Sequence, residues 1–226
     1  MIARLRHTLR LCFRPHLWLL YAVSLTAAVI MVISARDWAP AVTRSFLMGY
    51  FEVFGSIAVV LGLGHVLTVD ADDGAKEVLL TYPAPRSILA LERIVAGFAL
   101  AAGPLLVLAV AFGLFLPRAI SEIELAALSM QTLLMDAVAS WVFLAGLALI
   151  AAVLAESWVA GLLAGGLYWV TDLTTGGRFT SQLYLFYGTF SPSRVAPDTN
   201  RILLVVCGLA ACVIAALAFG RIRRRR

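Results

Sequence analysis

The chain has 226 residues, of which 62% are hydrophobic and 14% charged, and its net charge is +5. Soluble domains are about 45–50% apolar and about 25% charged, and disordered chains are poorer still in apolar residues, so both classes are excluded. A globule of this length cannot hide that much apolar surface behind a polar exterior, so lipid is the expected solvent for most of the chain.

Residues 2–14 predict an amphipathic helix. At about 100° per residue, Ile2, Leu5, Leu9, Cys12 and Phe13 share one stripe, and Arg4, His7, Arg10 and Arg14 occupy the other side. Arg6 sits at the border beside Phe13, and Leu11 is an exception on the basic side. Such a helix is expected to lie in the membrane interface over residues 1–15, anchored by Arg4, Arg6, Arg10 and Arg14, with Pro15 marking the bend into the membrane. Its basic region is too long for a cleavable signal peptide, and its apolar run exceeds the usual length.

A bilayer core about 30 Å thick needs roughly 20 apolar residues of helix. Charge-free runs predict six spans: residues 17–35, 53–69 (extended back to 46), 94–117, 137–155, 157–171 and 202–220. The short fifth span is expected to continue through Asp172 and Leu173. Between the second and third spans, residues 70–93 form the largest predicted cytoplasmic loop. After Gly74 it contains a helix-capable run over residues 75–82, stopped by Pro83 and Pro85, and Ser87 can cap the next helix. Two turns of helix are not stable alone, so the run needs a surface to pack on. Pro104 predicts a kink or close packing in the third span. Ser121 and Glu124 have capping-box spacing ahead of the fourth.

Glu156 and Ser157 predict a tight turn into the fifth helix, where Gly161 and Gly165 suit close packing within the chain or between copies. Residues 172–201 form the long extracytoplasmic segment, rich in aromatics (Phe179, Tyr184, Phe186, Tyr187 and Phe190) and broken by Gly176, Gly177 and Pro192. Any interfacial loop has this composition, so it identifies no substrate residue.

Lysine and arginine placement orients the spans. With the N-terminus inside, the inner segments hold Arg4, Arg6, Arg10, Arg14, Lys76, Arg86, Arg93, Arg221 and Arg223 to Arg226, against Arg36, Arg44, Arg118, Arg178, Arg194 and Arg201 outside. Trp18 and Trp158 then fall near the inner interface, and Trp38 and Trp169 near the outer one. The expected fold is therefore all-α: one polytopic transmembrane domain over residues 1–226 with six helices and both termini cytoplasmic. The basic C-terminal tail is expected to anchor on anionic lipid, not nucleic acid.

The chemistry-bearing motifs are few. The only lysine, Lys76, is followed by Glu77, so no Gly-x-x-x-x-Gly-Lys-[Ser/Thr] phosphate loop is present. Cys12, Cys207 and Cys212 form no disulfide or metal pattern, and His7, His16 and His65 are isolated, so no metal or catalytic residue is assigned. Ion coupling needs ionisable groups deep in the bilayer. Glu52 lies 18 residues before Asp70, about 27 Å of helix, and Asp136 lies 20 residues before Glu156, about 30 Å. Both are thereby expected at the outer boundary, with Asp172 at the outer end of the fifth helix and Glu156 in the inner turn.

The loop resembles the one between helices two and three in permease subunits of ABC type-2 transporters, which reads Gly-Thr-x-Glu-x-Leu-Leu-x-x-Pro-x-Ser-Arg before a basic residue opening the third helix. Here Gly74, Glu77, Leu79, Leu80, Pro83 and Arg86 fall in register, followed by Arg93. Ala75 replaces the threonine and Pro85 the serine, and acidic Asp70, Asp72 and Asp73 precede the glycine. The resemblance implies that Gly74, Glu77, Val78, Leu79, Leu80, Thr81, Pro83 and Arg86 couple the chain to a cytoplasmic ATPase. That partner would carry ATP and Mg, with no cofactor on this chain. It further implies a homo- or heterodimer of permeases with the substrate pathway between them, exporting from a bacterial inner (plasma) membrane. A proton- or ion-coupled secondary transporter and a non-transporting scaffold or regulatory subunit are the alternative readings.

Overall fold

Helix satisfies every backbone donor and acceptor within one segment, so a chain with this much apolar sequence favours it wherever water is scarce. The computed structural model describes residues 15–34, 40–68, 85–115, 130–190 and 196–222. Every regular element among them is helical: α1 (Pro15–Ser34), α2 (Pro40–Gly49), a π turn (Tyr50–Phe54), α3 (Gly55–Leu63), α4 (Arg86–Phe115), α5 (Met130–Ala155), α6 (Trp158–Thr175), a 3₁₀ turn (Ser181–Leu183), α7 (Tyr187–Phe190) and α8 (Pro197–Ile222). Four helical stretches are long and apolar enough to cross a membrane: Ser45–Leu63, Arg86–Val110, Leu133–Ala155 and Pro197–Gly220.

The helices extend beyond the charge-free runs because charged residues near their ends are accommodated inside the helix. α4 begins at Arg86, not at residue 94. The Pro85 carbonyl accepts the Ile88 and Leu89 amides, so Ser87 lies in the first turn and does not precede it. Arg93 is buried two turns in, and the helix continues through Pro104. The second predicted span is α2, the π turn and α3 in succession, with Glu52 buried inside it. Pro197 occupies the first helical position of α8, where its missing N–H is no loss.

α5 is the centre of the bundle, with α8, α6 and α3 packed around it. Trp141, midway along α5, is fully buried. Its closest approaches are made through glycine. A Cβ on Gly208 of α8 would lie 2.5 Å from the Val142 carbonyl oxygen, and one on Gly146 would lie 2.5 Å from that of Gly208, so the two backbones touch. Gly161 packs on Ala148 and Ala152, and Gly165 on Val60, so the glycine pair of α6 faces this chain's own helices. α1 docks through Tyr21, whose hydroxyl donates to the Leu100 carbonyl at 2.9 Å.

The α5–α6 link is two residues long, as expected. Glu156 takes a left-handed conformation (φ 50°), the Ser157 amide returns to the Ala152 carbonyl, and Ser157 is extended ahead of α6. This end of the bundle is the hairpin end. Gly220 of α8 lies beside Ser87 of α4 there, and the end of α3 packs on Gly97. The opposite end is closed by residues 176–190 and is called the cap end below. The predicted interfacial helix, residues 70–84 and the Ser121–Glu124 capping box lie outside the described residues.

Gly208→Ala is expected to lower stability by about 1–3 kcal/mol through overpacking. Gly166→Ala, where an added Cβ meets nothing within 4 Å, should leave stability unchanged or slightly raised. Thermal unfolding of the detergent-purified protein compares the two.

Candidate functional site

The buried carboxyl side chains of Glu52, Asp136 and Asp172 gather at the cap end, and a helix irregularity positions the first of them. A π turn holds one residue more than a regular turn and so disturbs the backbone ladder. At Tyr50–Phe54, indoles from two other helices bind its carbonyls: Trp141 Nε1 of α5 donates to Phe51 at 2.8 Å, and Trp169 Nε1 of α6 donates to Val53 at 2.9 Å. Trp141 reaches its acceptor over Gly55, where a Cβ would fall 2.6 Å from Nε1. The Ser56 hydroxyl donates to the Glu52 carbonyl.

This turn directs the Glu52 side chain into the cap. Its Oε1 accepts the Gly188 amide at 2.7 Å, and its Oε2 accepts the Thr189 amide at 2.7 Å and the Thr189 hydroxyl at 2.6 Å. Charge-assisted bonds of this kind are about twice as strong as neutral ones. Asp136 of α5 lies on the other side of Gly188: a Cβ there would sit 2.9 Å from Glu52 Oε1 and 3.2 Å from Asp136 Oδ2. Asp136 is paired with Arg201 of α8 through Nε, and Arg201 also approaches Asp198 at 3.8 Å.

Asp172 fixes the start of the cap. Gly176 ends α6 in the left-handed conformation, and its amide returns to the Asp172 carbonyl. Gly177 also has positive φ (74°), with the Tyr184 ring against its α-carbon, so a side chain there would be both strained and obstructed. The Asp172 carboxylate, fully buried, accepts the Leu185 amide and the Thr180 hydroxyl. Asn200 of α8 donates to the Gln182 and Tyr184 carbonyls, each at 2.8 Å, Tyr168 donates to Leu183 at 3.0 Å, and Ser140 to Leu185. The segment is thereby bound to α5, α6 and α8.

The aromatics divide between core and surface. Tyr184 and Phe186 are fully buried, with Phe186 edge-on to Trp169, Tyr184 and Phe190, while Phe179 is 81% exposed. The Tyr184 hydroxyl is buried with no hydrogen-bond partner among the described residues. Burial pushes this phenol well above its ordinary range, and the carboxylates of Asp172 and Glu52 add to the shift. Beside the cap, α5 and α8 enclose an open apolar groove of about 840 Å³, lined by Leu134, Met135, Val138, Ile202 and Val206, with Arg201 at its polar end.

Comparison of the chain with family models, curated proteins and solved structures finds no match. Of the residues assigned to ATPase coupling, Arg86 alone is described: it opens α4 half-buried, with Nη1 buried and unpartnered among the described residues. Gly74, Glu77, Val78, Leu79, Leu80, Thr81 and Pro83 lie outside the described residues, as do Arg4, Arg6, Arg10 and Arg14. Among the described residues no group of three or more His, Cys, Asp or Glu could hold a metal ion. Glu52, Asp136 and Asp172 share one end of the bundle, as helix arithmetic expects, but they are buried and bonded there. The sequence marks Trp169 only as an interface residue and gives no signal for Trp141, because a π turn leaves no mark in hydropathy.

Two variants test this geometry. Arg201→Gln leaves the buried Asp136 carboxylate without its cation and is expected to lower stability by about 3 kcal/mol, part of which Asp136→Asn should restore in the double variant. Tyr184→Phe removes an unsatisfied hydroxyl and should be neutral or stabilising near pH 7. An acid whose folded pKa is raised contributes stability below its unfolded pKa, about 10 for tyrosine, and loses it as pH rises further. The parent should therefore lose thermal stability above pH about 10, and Tyr184→Phe should lose less.

Proposed function

We propose that the chain is the membrane-spanning permease subunit of an ATP-driven ABC transporter of the exporter type. In this reading six helices cross the bilayer (α1, the α2–α3 stack, α4, α5, α6 and α8), both termini are cytoplasmic, and the cap end faces outward. The observation that carries it is the run Gly74, Glu77, Leu79, Leu80, Pro83 and Arg86 between the second and third spans of a chain without a phosphate loop. Leu79 and Leu80 supply apolar contacts to an ATPase groove, and Glu77 and Arg86 set charge register at a wet interface. Two further facts support the assignment: four helical stretches are long and apolar enough to cross a membrane, and α4 starts beside the end of α8. That proximity brings the first turn of α4 beside Gly220 near the end of α8. Movement received there would pass through α3 and α4 toward the cap end, in a bundle paired with a second permease and driven by two ATPase chains.

One observation favours the ion-coupled reading more than the sequence did: Glu52, Asp136 and Asp172 are all buried. Their bonds to the cap and to Arg201 also give them structural work, which leaves the loop motif the stronger guide.

Co-purification with a cognate ATPase tests the assignment. Leu79→Asp and Glu77→Arg are each expected to reduce association at least about tenfold, as loss of a central interface contact does. Undiminished association in both, or transport driven by an ion gradient without ATP, would overturn it.

A further inference from the structure

A π turn in mid-helix marks a place where two registers compete, because the surplus residue can leave the turn and restore the regular ladder. Here the competition is visible in the packing on its two sides. On the α3 side, Gly55 is pressed against Trp141, Val60 against Gly165, and Leu63 and Val66 against Gly97, so that side is locked. On the α2 side, Gly49 has nothing within 4 Å of where its Cβ would be, and α2 packs chiefly on the π turn itself and on α7 of the cap. The locked side cannot rotate without clashing at several glycines, whereas the α2 side has open space at Gly49 and need only release Leu47 and Met48.

We propose that the Tyr50–Phe54 turn is a two-register switch that latches the cap. In the π register, Glu52 reaches Gly188 and Thr189 and holds the cap closed with three hydrogen bonds. Passing the surplus residue out of the turn rotates the α2 side by about 100° and shifts it about 1.5 Å along the axis. Glu52 then leaves the two amides, and α2 withdraws the buried Met48 from beside Gly188. The indoles of Trp141 and Trp169 bias the equilibrium. They stand on α5 and α6, outside the cap, yet they bind the Phe51 and Val53 carbonyls of the π register. Removing those donors leaves buried carbonyls that the regular ladder would satisfy, and so favours release.

The latch can be tested without any transport activity, so its failure and that of the permease assignment are separable. In a full-length chain with Cys12, Cys207 and Cys212 replaced by serine, Met48→Cys reports the cap: Met48 is 4% exposed, and its Sδ is 3.1 Å from where a Gly188 Cβ would be. Val153→Cys, buried toward the hairpin end, reports general loosening. Labelling by a polar maleimide is followed in detergent micelles. Glu52→Gln and the pair Trp141→Phe/Trp169→Phe should each raise the Met48→Cys rate about tenfold or more, with Val153→Cys unchanged, as expected of a local opening. Deletion of Gly49 removes the surplus residue outright and should do the same. A rise with Glu52→Gln alone would reduce Glu52 to a fastener and overturn the switch. Protection in all three variants would overturn the latch as well, and a parallel rise at Val153→Cys in all three would show unfolding and overturn both.

Discussion

The Trp141 indole donates to the Phe51 carbonyl at 2.8 Å in the middle of the bundle, and the arrangement of the cap end follows from that bond. A buried carbonyl without a donor is costly, so a helix irregularity persists only where a neighbour supplies one. Trp141 supplies it from α5, and Trp169 does the same for Val53 from α6. The turn so held directs Glu52 upward, and Glu52 in turn orders Gly188 and Thr189. Three helices and a surface segment are thus tied to one another by polar atoms within an apolar core.

Polar burial at this density calls for an explanation beyond stability. Hydrophobic contacts between helices are tolerant of rotation and register, especially among the alanines and leucines that dominate α5 and α8. Directional bonds are not. The Asn200 amide spanning Gln182 and Tyr184, Asp172 beneath Leu185 and Glu52 on Gly188 and Thr189 each permit one alignment of the cap on the bundle. Their contribution is a defined register for residues 176–190, added to the apolar packing of Tyr184, Leu185 and Phe186.

The all-helical architecture was legible in the sequence because it depends on long apolar runs, which are additive and local. The two-residue turn at Glu156–Ser157 was legible for the same reason: a charge interrupts two such runs. The start of α4 was not, since Glu92 and Arg93 interrupt the apolar run and yet lie inside a helix that begins at Arg86. The vertical position of Glu52, Asp136 and Asp172 followed from counting residues along helices. Their burial did not, because it depends on a cap folding back from more than a hundred residues away to meet Glu52. The π turn was invisible for a further reason: one surplus residue changes neither composition nor hydropathy, only the direction of what precedes it.

The backbone contact of Gly146 with Gly208 has a mechanical consequence. Where helices meet through side chains, ridges must be climbed before one can turn on the other. Where they meet through bare backbone there are no ridges, and the contact acts as a fulcrum. Along α8, Arg201 is seven residues from Gly208, about 10 Å, while Ile222 is fourteen residues beyond it, about 21 Å. Were α8 to turn as a rigid rod about this contact, its arms would stand in a ratio of about two to one. A shift of Arg201 against Asp136 would then emerge doubled at the far end of the helix, and a push at that far end would arrive halved in distance and correspondingly greater in force.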